Sequence, residues 1–330
     1  MRTDLVSVII PTYNRAHYVA DALNSVQAQN RRPLEVVVVD DGSTDNTTAV
    51  VQTWIDEQAD SGLRMILVEQ SNAGAPAARN HGLRVSTGNW IKFLDSDDVL
   101  HPSCIERQME ASRSLADHEI VFGDLGRMDV SGENKCVEVT DPPSADTDMF
   151  AYLLDHVLVT PMPLHRRSLL EQVDGFREDI DKGQEYDLHL RLAIAGIRFV
   201  HEPGVAYYKR SEDTTPSTET ISKSNSPLRN PEAHIFIQDN RHLLAQEYYN
   251  GDLPLHIQTT IARGYWVVGR QLTRAGYTER ARYCFSRSQD LATEATDHIV
   301  GPRPYQWATR SIGPVAAERM LSTIKRCIGR

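Results

Sequence analysis

Apolar positions in the first hundred residues fall in short unbroken runs, each followed by a polar turn and then by a stretch with helical spacing. The run "VSVIIPTYN" ends at a turn, and "ALNSVQAQN" behind it places Ala22, Leu23 and Val26 on one helical face. The unit recurs in "LEVVVVDDGSTDNTTAVVQTWI". It returns as "LRMILVEQ" ahead of "GAPAARNHGLRVS", and again as "NWIKFL" ahead of "PSCIERQMEASRSL". Continuous β-branched runs alternating with helices predict a mostly parallel sheet with helices on both faces. In such sheets ligands lie beyond the carboxyl ends of the strands, and each polar cluster discussed below falls at one of those ends.

From about residue 119 the alternation loosens into strand-like "EIVFGDLGRMDV", a polar excursion, "MPLHRRSLLEQVDGF" and the helical "EYDLHLRLAIAG". This second half is expected to continue the sheet and to carry a different ligand. Residues 213–230, rich in Ser, Thr, Asn and Pro, predict a mobile linker. Residues 231–330 read as mostly helical, and "GYWVVGRQLTRAGYTERARYCFSRSQDL" predicts a helical hairpin turning at Ala275-Gly276.

Composition narrows the function. A formal net charge of −10 argues against nucleic acid as a partner, so any bound anion must be held by local groups. Cys104, Cys136, Cys284 and Cys327 lack metal-ligand or disulfide spacing. No secretory leader pattern and no membrane-length apolar run is present, which predicts a cytoplasmic location. The cationic segment "RSIGPVAAERMLSTIKRCIGR", with Met320, Leu321, Ile324 and Ile328 at helical spacing, could contact an anionic membrane face or pack on its own helical region.

Three aspartates in four positions, Asp95, Asp97 and Asp98 around Ser96, follow the fourth apolar run. Like charges this close require compensation, and a divalent cation shared with substrate phosphates supplies it. An Asp-rich turn capping the next helix is the plainer alternative. Asp40 and Asp41 end the second strand, where a carboxylate can accept from a base imide or ribose hydroxyl. Pro11, Thr12, Tyr13, Asn14 and Arg15 stand at the matching end of the first.

The segments "VSVIIPTYNR", "VVVVDDGSTDNT", "NAGAPAARNHG", "WIKFLDSDD" and "GQEYDLHLRL", in this order and spacing, resemble family 2 of the glycosyltransferases over roughly residues 5 to 212. The resemblance implies a GT-A fold over residues 1–212, with a nucleotide-sugar-binding half (1–98) and an acceptor half (99–212). It implies inverting transfer from a nucleotide-diphosphate sugar, UDP-sugar foremost, to an acceptor hydroxyl in a saccharide or lipid-linked acceptor. Mn²⁺ or Mg²⁺ would be the cofactor. A donor-binding protein that has lost catalysis is the alternative.

Carried over by position, Pro11, Thr12, Asp41 and Arg79 would surround the nucleobase, with Asn72 and Gly74 in the adjoining motif. Asp95 would reach toward ribose and the metal's water, and Asp97 would be the metal ligand. The general base falls on Glu185, where the family usually has Asp; the extra methylene moves the carboxylate outward. Asp187 stands four residues before Arg191 on the same helix face, where a structural ion pair is expected. Lys209 and Arg210 could hold the diphosphate, and Ser211 and Glu212 stand where many relatives have a histidine. Gly175-Phe176 matches the family's acceptor-side turn, with Asp174 replacing a glycine.

Overall fold

The computed structural model describes residues 4–59, 62–133, 135–211, 230–291, 309 and 311–320. The chain divides into two compact units, Met1–Asp213 and Thr214–Arg330.

In the first unit, strands β1 (Val6–Thr12), β2 (Leu34–Asp40), β3 (Arg64–Glu69) and β4 (Trp90–Phe93) alternate with helices. These are α1 (Val19–Gln27), α2 (Thr47–Glu57) and α3 (Ala75–Val85). The four strands run parallel in the spatial order β3-β2-β1-β4. Every residue of β1 and β2 is buried, as strands covered on both faces require. Each fully buried Val or Ile there contributes roughly 1.5–3 kcal/mol of transfer free energy before chain entropy is counted. Register aligns Thr12 with Asp40 and Asp40 with Glu69, while β4 stops opposite Ile9. The loops after all four strands therefore open on one edge.

The second half departs from simple continuation. After β5 (Val99–Leu100) and α4 (Cys104–Ser112), the long β6 (Glu119–Met128) and its hairpin partner β7 (Lys135–Glu138) follow. Next come α5 (Met149–Asp155), β8 (Pro163–Arg166), α6 (Arg167–Gln172), α7 (Gln184–Ile194) and β9 (Arg198–Arg210). The sheet continues β4-β8-β6-β9-β5, with β7 on β6. β8 joins β4 and β6 antiparallel, β9 runs parallel to β6, and β5 closes antiparallel on β9. The sheet is thus mixed: parallel where crossover helices connect its strands, antiparallel where β8 and the two-residue β5 enter it.

Beneath β4 lies a buried polar group. Lys92 is fully buried and donates to Gln108 Oε1 at 2.8 Å and to the Met162 carbonyl at 3.2 Å. His165 on β8 stacks against His189 on α7 with ring centroids 5.9 Å apart, and Phe93 and Phe199 meet them edge-on. Burial holds His165 well below the usual imidazole range and His189 down to about 3.

The second unit contains α8 (Pro231–Tyr248), α9 (Leu255–Arg274) and α10 (Thr278–Leu291). Asn230 caps α8 by accepting from the Ala233 amide. The α9–α10 hairpin turns at Ala275-Gly276, and Trp266 packs on Phe285 at 4.7 Å. Glu318, nearly fully buried, accepts from Arg270 and Arg274 of α9. No described helix is long and apolar enough to cross a membrane. The linker expectation for 213–229, Cys327, and the amphipathic positions Leu321, Ile324 and Ile328 lie outside the described residues; Met320 is exposed. Cys104 and Cys284 are buried free thiols and Cys136 is an exposed one.

Candidate active site

The loops after β1 and β2 are laced together. The Asn14 amide donates to Ser43 Oγ at 2.9 Å, and Asn14 Oδ1 accepts from the Thr44 amide at 2.8 Å. The Arg15 amide donates to Thr47 Oγ1 at 2.8 Å. Asn14 holds a φ of 51°, a conformation that asparagine tolerates better than most residues. Pro11 and Thr12 are buried and Tyr13 is exposed above them. The Thr12 hydroxyl is buried with no partner among the described residues.

Asp40 and Asp41 are occupied by their own loops. Asp40 accepts from Ser43 on one oxygen and from Thr48 Oγ1 at 2.6 Å on the other. Asp41 accepts from Gln70 Nε2, the Ala73 amide and the Gly74 amide, all within 2.9 Å. Both carboxylates serve loop folding, and Asp41 ties Ala73 and Gly74 against β2. Gly42 completes that contact, because a Cβ there would sit 2.9 Å from the Asn72 nitrogen. Asn72 itself is exposed.

Beyond β4 the chain turns sharply, the Asp98 amide donating to the Asp95 carbonyl at 3.0 Å. Asp95 and Asp97 keep 37% and 36% of their side-chain surface, so both carboxylates are open to a ligand. Asp98 is buried and accepts from the Arg210 amide at 2.9 Å. Burial, reinforced by Asp95, holds the Asp97 carboxyl above its usual range; the nearby Arg15 and Lys209 act the other way. Asp98 is pushed well above that range by burial and by both neighbouring acids. Arg15 Nε stands 3.5 Å from Asp97 Oδ2.

Lys209 and Arg210 part company. Lys209 is exposed, and its charge is felt at Asp97 and Asp98. Arg210 is buried. Its guanidinium donates to the Asp97 carbonyl (3.0 Å), the Val130 carbonyl (2.8 Å) and Asp21 Oδ2 (2.7 Å), and lies over the Tyr18 ring. Its fork is spent on holding the acidic turn against α1 and the β6–β7 hairpin.

Arg79 reaches two elements. Buried on α3, it donates from Nη2 to Asp95 Oδ1 at 2.7 Å and from Nη1 to Gln184 Oε1 at 2.8 Å. Gln184 opens α7, and Glu185 follows it, partly exposed. Glu185, Asp95 and Asp98 all act on the buried hydroxyl of Tyr207, whose acidity burial and these acids suppress. Through Arg79, Asp95 and the first residue of α7 are brought together at the strands' carboxyl edge. Asp187 pairs with Arg191 at 2.7 Å, the structural ion pair its spacing implied.

The Gly175-Phe176 turn rests on α3. Asn80 Nδ2 donates to the Phe176 carbonyl at 2.8 Å, and its Oδ1 accepts from the Phe176 amide at 2.9 Å. Asp174, with φ 56°, takes the left-handed conformation in place of the family's glycine. Motif reading assigned no individual role to Asn80, Gln184, Asp21 or Tyr207. Their partners lie far away in sequence, 189 positions in the case of Asp21 and Arg210, so no local pattern marks them.

A parallel strand edge, two partly exposed acids after β4 and a carboxylate at the start of α7 make up the candidate site. Residues 7–173 match the model of glycosyl transferase family 2, and the chain belongs to that family. An uncharacterised glycosyltransferase of Nostoc is 35% identical over 176 residues, 51% of this chain and 52% of that protein. Chondroitin synthase of Escherichia coli is 28% identical over 68% of this chain and 32% of its own length. The chain therefore spans about half or less of these two curated relatives. The fold is of GT-A type: the structure of S. aureus TarS 1-349 with UDP-GlcNAc superposes at TM-score 0.63 and 20% identity, covering 98% of this chain and 92% of that one. The mannosyltransferase PcManGT of Pyrobaculum calidifontis, with GDP-Man and Mn²⁺, gives TM-score 0.50 at 18% identity, over 96% and 86%.

Proposed function

We propose that this glycosyltransferase moves a sugar from a nucleotide-diphosphate donor, UDP-sugar first among the candidates, to a hydroxyl of a saccharide or lipid-linked acceptor, with inversion at the anomeric carbon. The observation that carries the reading is the Arg79 bridge, which sets Asp95 and the start of α7 one guanidinium apart. The UDP-GlcNAc bound to TarS and the polysaccharide named for chondroitin synthase support the donor class and a glycan product.

Pro11, Thr12 and Tyr13 frame the base, and the unpartnered Thr12 hydroxyl is a ready hydrogen-bonding group there. Asp40, Asp41 and Asn14 hold the walls of that groove. Lys209 and Arg15 face the diphosphate, with Ser96 between the two acids. The half-open, mutually repelling carboxylates of Asp95 and Asp97 fit a divalent cation such as Mn²⁺ or Mg²⁺. No group of three or more His, Cys, Asp and Glu is set to hold a metal among the described residues, so phosphates and water would complete the shell. When bound, the cation would stabilise negative charge on the departing nucleoside diphosphate.

Glu185 is the base. Its carboxylate takes the proton of the acceptor hydroxyl as that oxygen bonds to the anomeric carbon and the sugar–phosphate bond breaks, the electron pair leaving with the diphosphate. Glutamate reaches one methylene further than aspartate, which sets the acceptor oxygen correspondingly outward. A panel of UDP-, GDP- and dTDP-sugars, read by thermal shift with and without Mn²⁺, tests the reading. A UDP-sugar is expected to stabilise the protein with Mn²⁺ and much less without it; no response to any nucleotide sugar would overturn the proposal.

A further inference from the structure

We propose that Arg79 and Gln184 form a positioning bridge that couples donor engagement at Asp95 to the placement of Glu185. The inference rests on the proposed transfer reaction. Arginine's planar fork can bind two acceptors at once in fixed relative geometry, which a lysine's single ammonium cannot. Here one arm goes to Asp95 on the donor side and the other to Gln184 on the acceptor side. The guanidinium has little room to move: Arg79 is buried and lies 5.3 Å from the centroid of Phe176, whose backbone Asn80 fixes from the same helix.

Gln184 uses both ends of its amide. Oε1 accepts from Arg79, and Nε2 donates to the Asp181 carbonyl at 3.1 Å, closing the loop that enters α7. Gly183 precedes it with φ 74°, so the entry is a tight reversal whose direction this clamp fixes. Glu185 is the next residue, and its backbone position is set by the same contacts. Among the described residues, Asp95 Oδ2 receives no donor, and that oxygen remains for the ligand. Because Gln184 is neutral, the charge of Arg79 stays with Asp95. A ligand that draws Asp95 toward itself therefore pulls on the start of α7 through a rigid linker. Neither Arg79 nor Gln184 transfers a proton; both act through Glu185 and Asp95.

The test compares Gln184→Leu, Gln184→Glu, Arg79→Lys and the Arg79→Lys/Gln184→Leu double variant. Each is measured for donor affinity by calorimetry with Mn²⁺, for steady-state transfer, and for amide exchange over the first turn of α7. Gln184→Leu removes the acceptor for Arg79 at nearly constant volume. It is expected to leave donor Kd within about threefold and lower kcat by a factor of ten or more. Gln184→Glu restores an acceptor oxygen for Arg79 but not the donor to the Asp181 carbonyl, and is expected to recover only part of that kcat. In the double variant the kcat loss should match the Arg79→Lys loss rather than the product of the two single losses. Donor binding should slow exchange at residues 184–187 in the wild type and not in Gln184→Leu, a readout independent of turnover. An unchanged kcat in Gln184→Leu, or multiplied losses in the double variant, would overturn the bridge while leaving the transfer reaction in place. A wild-type protein that neither binds nor turns over any nucleotide sugar would overturn both.

Discussion

Asp97 and Arg210 sit on opposite sides of one turn and should fail in different ways when replaced. Asp97→Asn removes a half-exposed carboxylate that repels Asp95. Donor affinity in the presence of Mn²⁺ is expected to fall to its metal-free value, with folding intact; retention of the metal increment, measured by calorimetry, would contradict the metal assignment. Arg210→Gln strips donors from the Asp97 and Val130 carbonyls and from Asp21. Its expected cost is about 2 kcal/mol of stability in urea unfolding, since acceptors are left without their donor. Lys209→Ala, at an exposed position, is expected to weaken donor binding at nearly unchanged stability. The sequence showed a basic pair after a strand, and strand alternation sends such neighbours to opposite faces. Which face held the site depended on α1 and on the β6–β7 hairpin, and the motif itself carries no record of either.

At the scale of elements, β1 to β4 and their helices were legible because each strand is a continuous apolar run and each polar turn follows it. The antiparallel entry of β8, and the return of β9 beside β6, were not legible. Strand direction leaves no local signature, and β6 and β9 pair residues about 80 positions apart. The turn at Gly175 shows the same limit. "DGF" announces a turn, yet only the fold brings Asn80 beneath it. A Cβ at Gly175 would stand 2.6 Å from Asn80 Oδ1 on a backbone with φ 63°. Gly175→Ala is therefore expected to lower stability by about 1–3 kcal/mol, seen as a reduced Tm, because strain and the lost Asn80 clamp act together. An unchanged Tm would mean that the turn does not depend on that clamp.

For the whole molecule, the buried His165–His189 stack makes stability depend on pH in a defined direction. Both imidazoles are held below their unfolded value of 6.5 by burial, His189 down to about 3. Below pH 6.5 the unfolded chain binds protons that the folded chain excludes. The stabilising contribution is therefore complete above pH 6.5 and is lost as pH falls below it, for His189 down toward 3 at roughly 1.4 kcal/mol per unit. Thermal melts at pH 7.5, 6 and 5 should show Tm falling across this window, and His189→Phe should flatten the fall; a parallel decline in that variant would assign the dependence elsewhere. The helical hairpin of α9 and α10 was foreshadowed by spacing. The stack was not: a histidine inside an apolar run reads alike whether buried or solvated. Glu185 was singled out only through its motif, and the link from its neighbour Gln184 to Asp95 runs through Arg79, 105 positions before Gln184. Transfer by a carboxylate across the sugar from the acid pair is tested most directly by Glu185→Gln, measured for both donor affinity and single-turnover transfer. The expected result is a donor Kd within about twofold of wild type and transfer slowed by 10²-fold or more; turnover at the wild-type rate with that variant would contradict it.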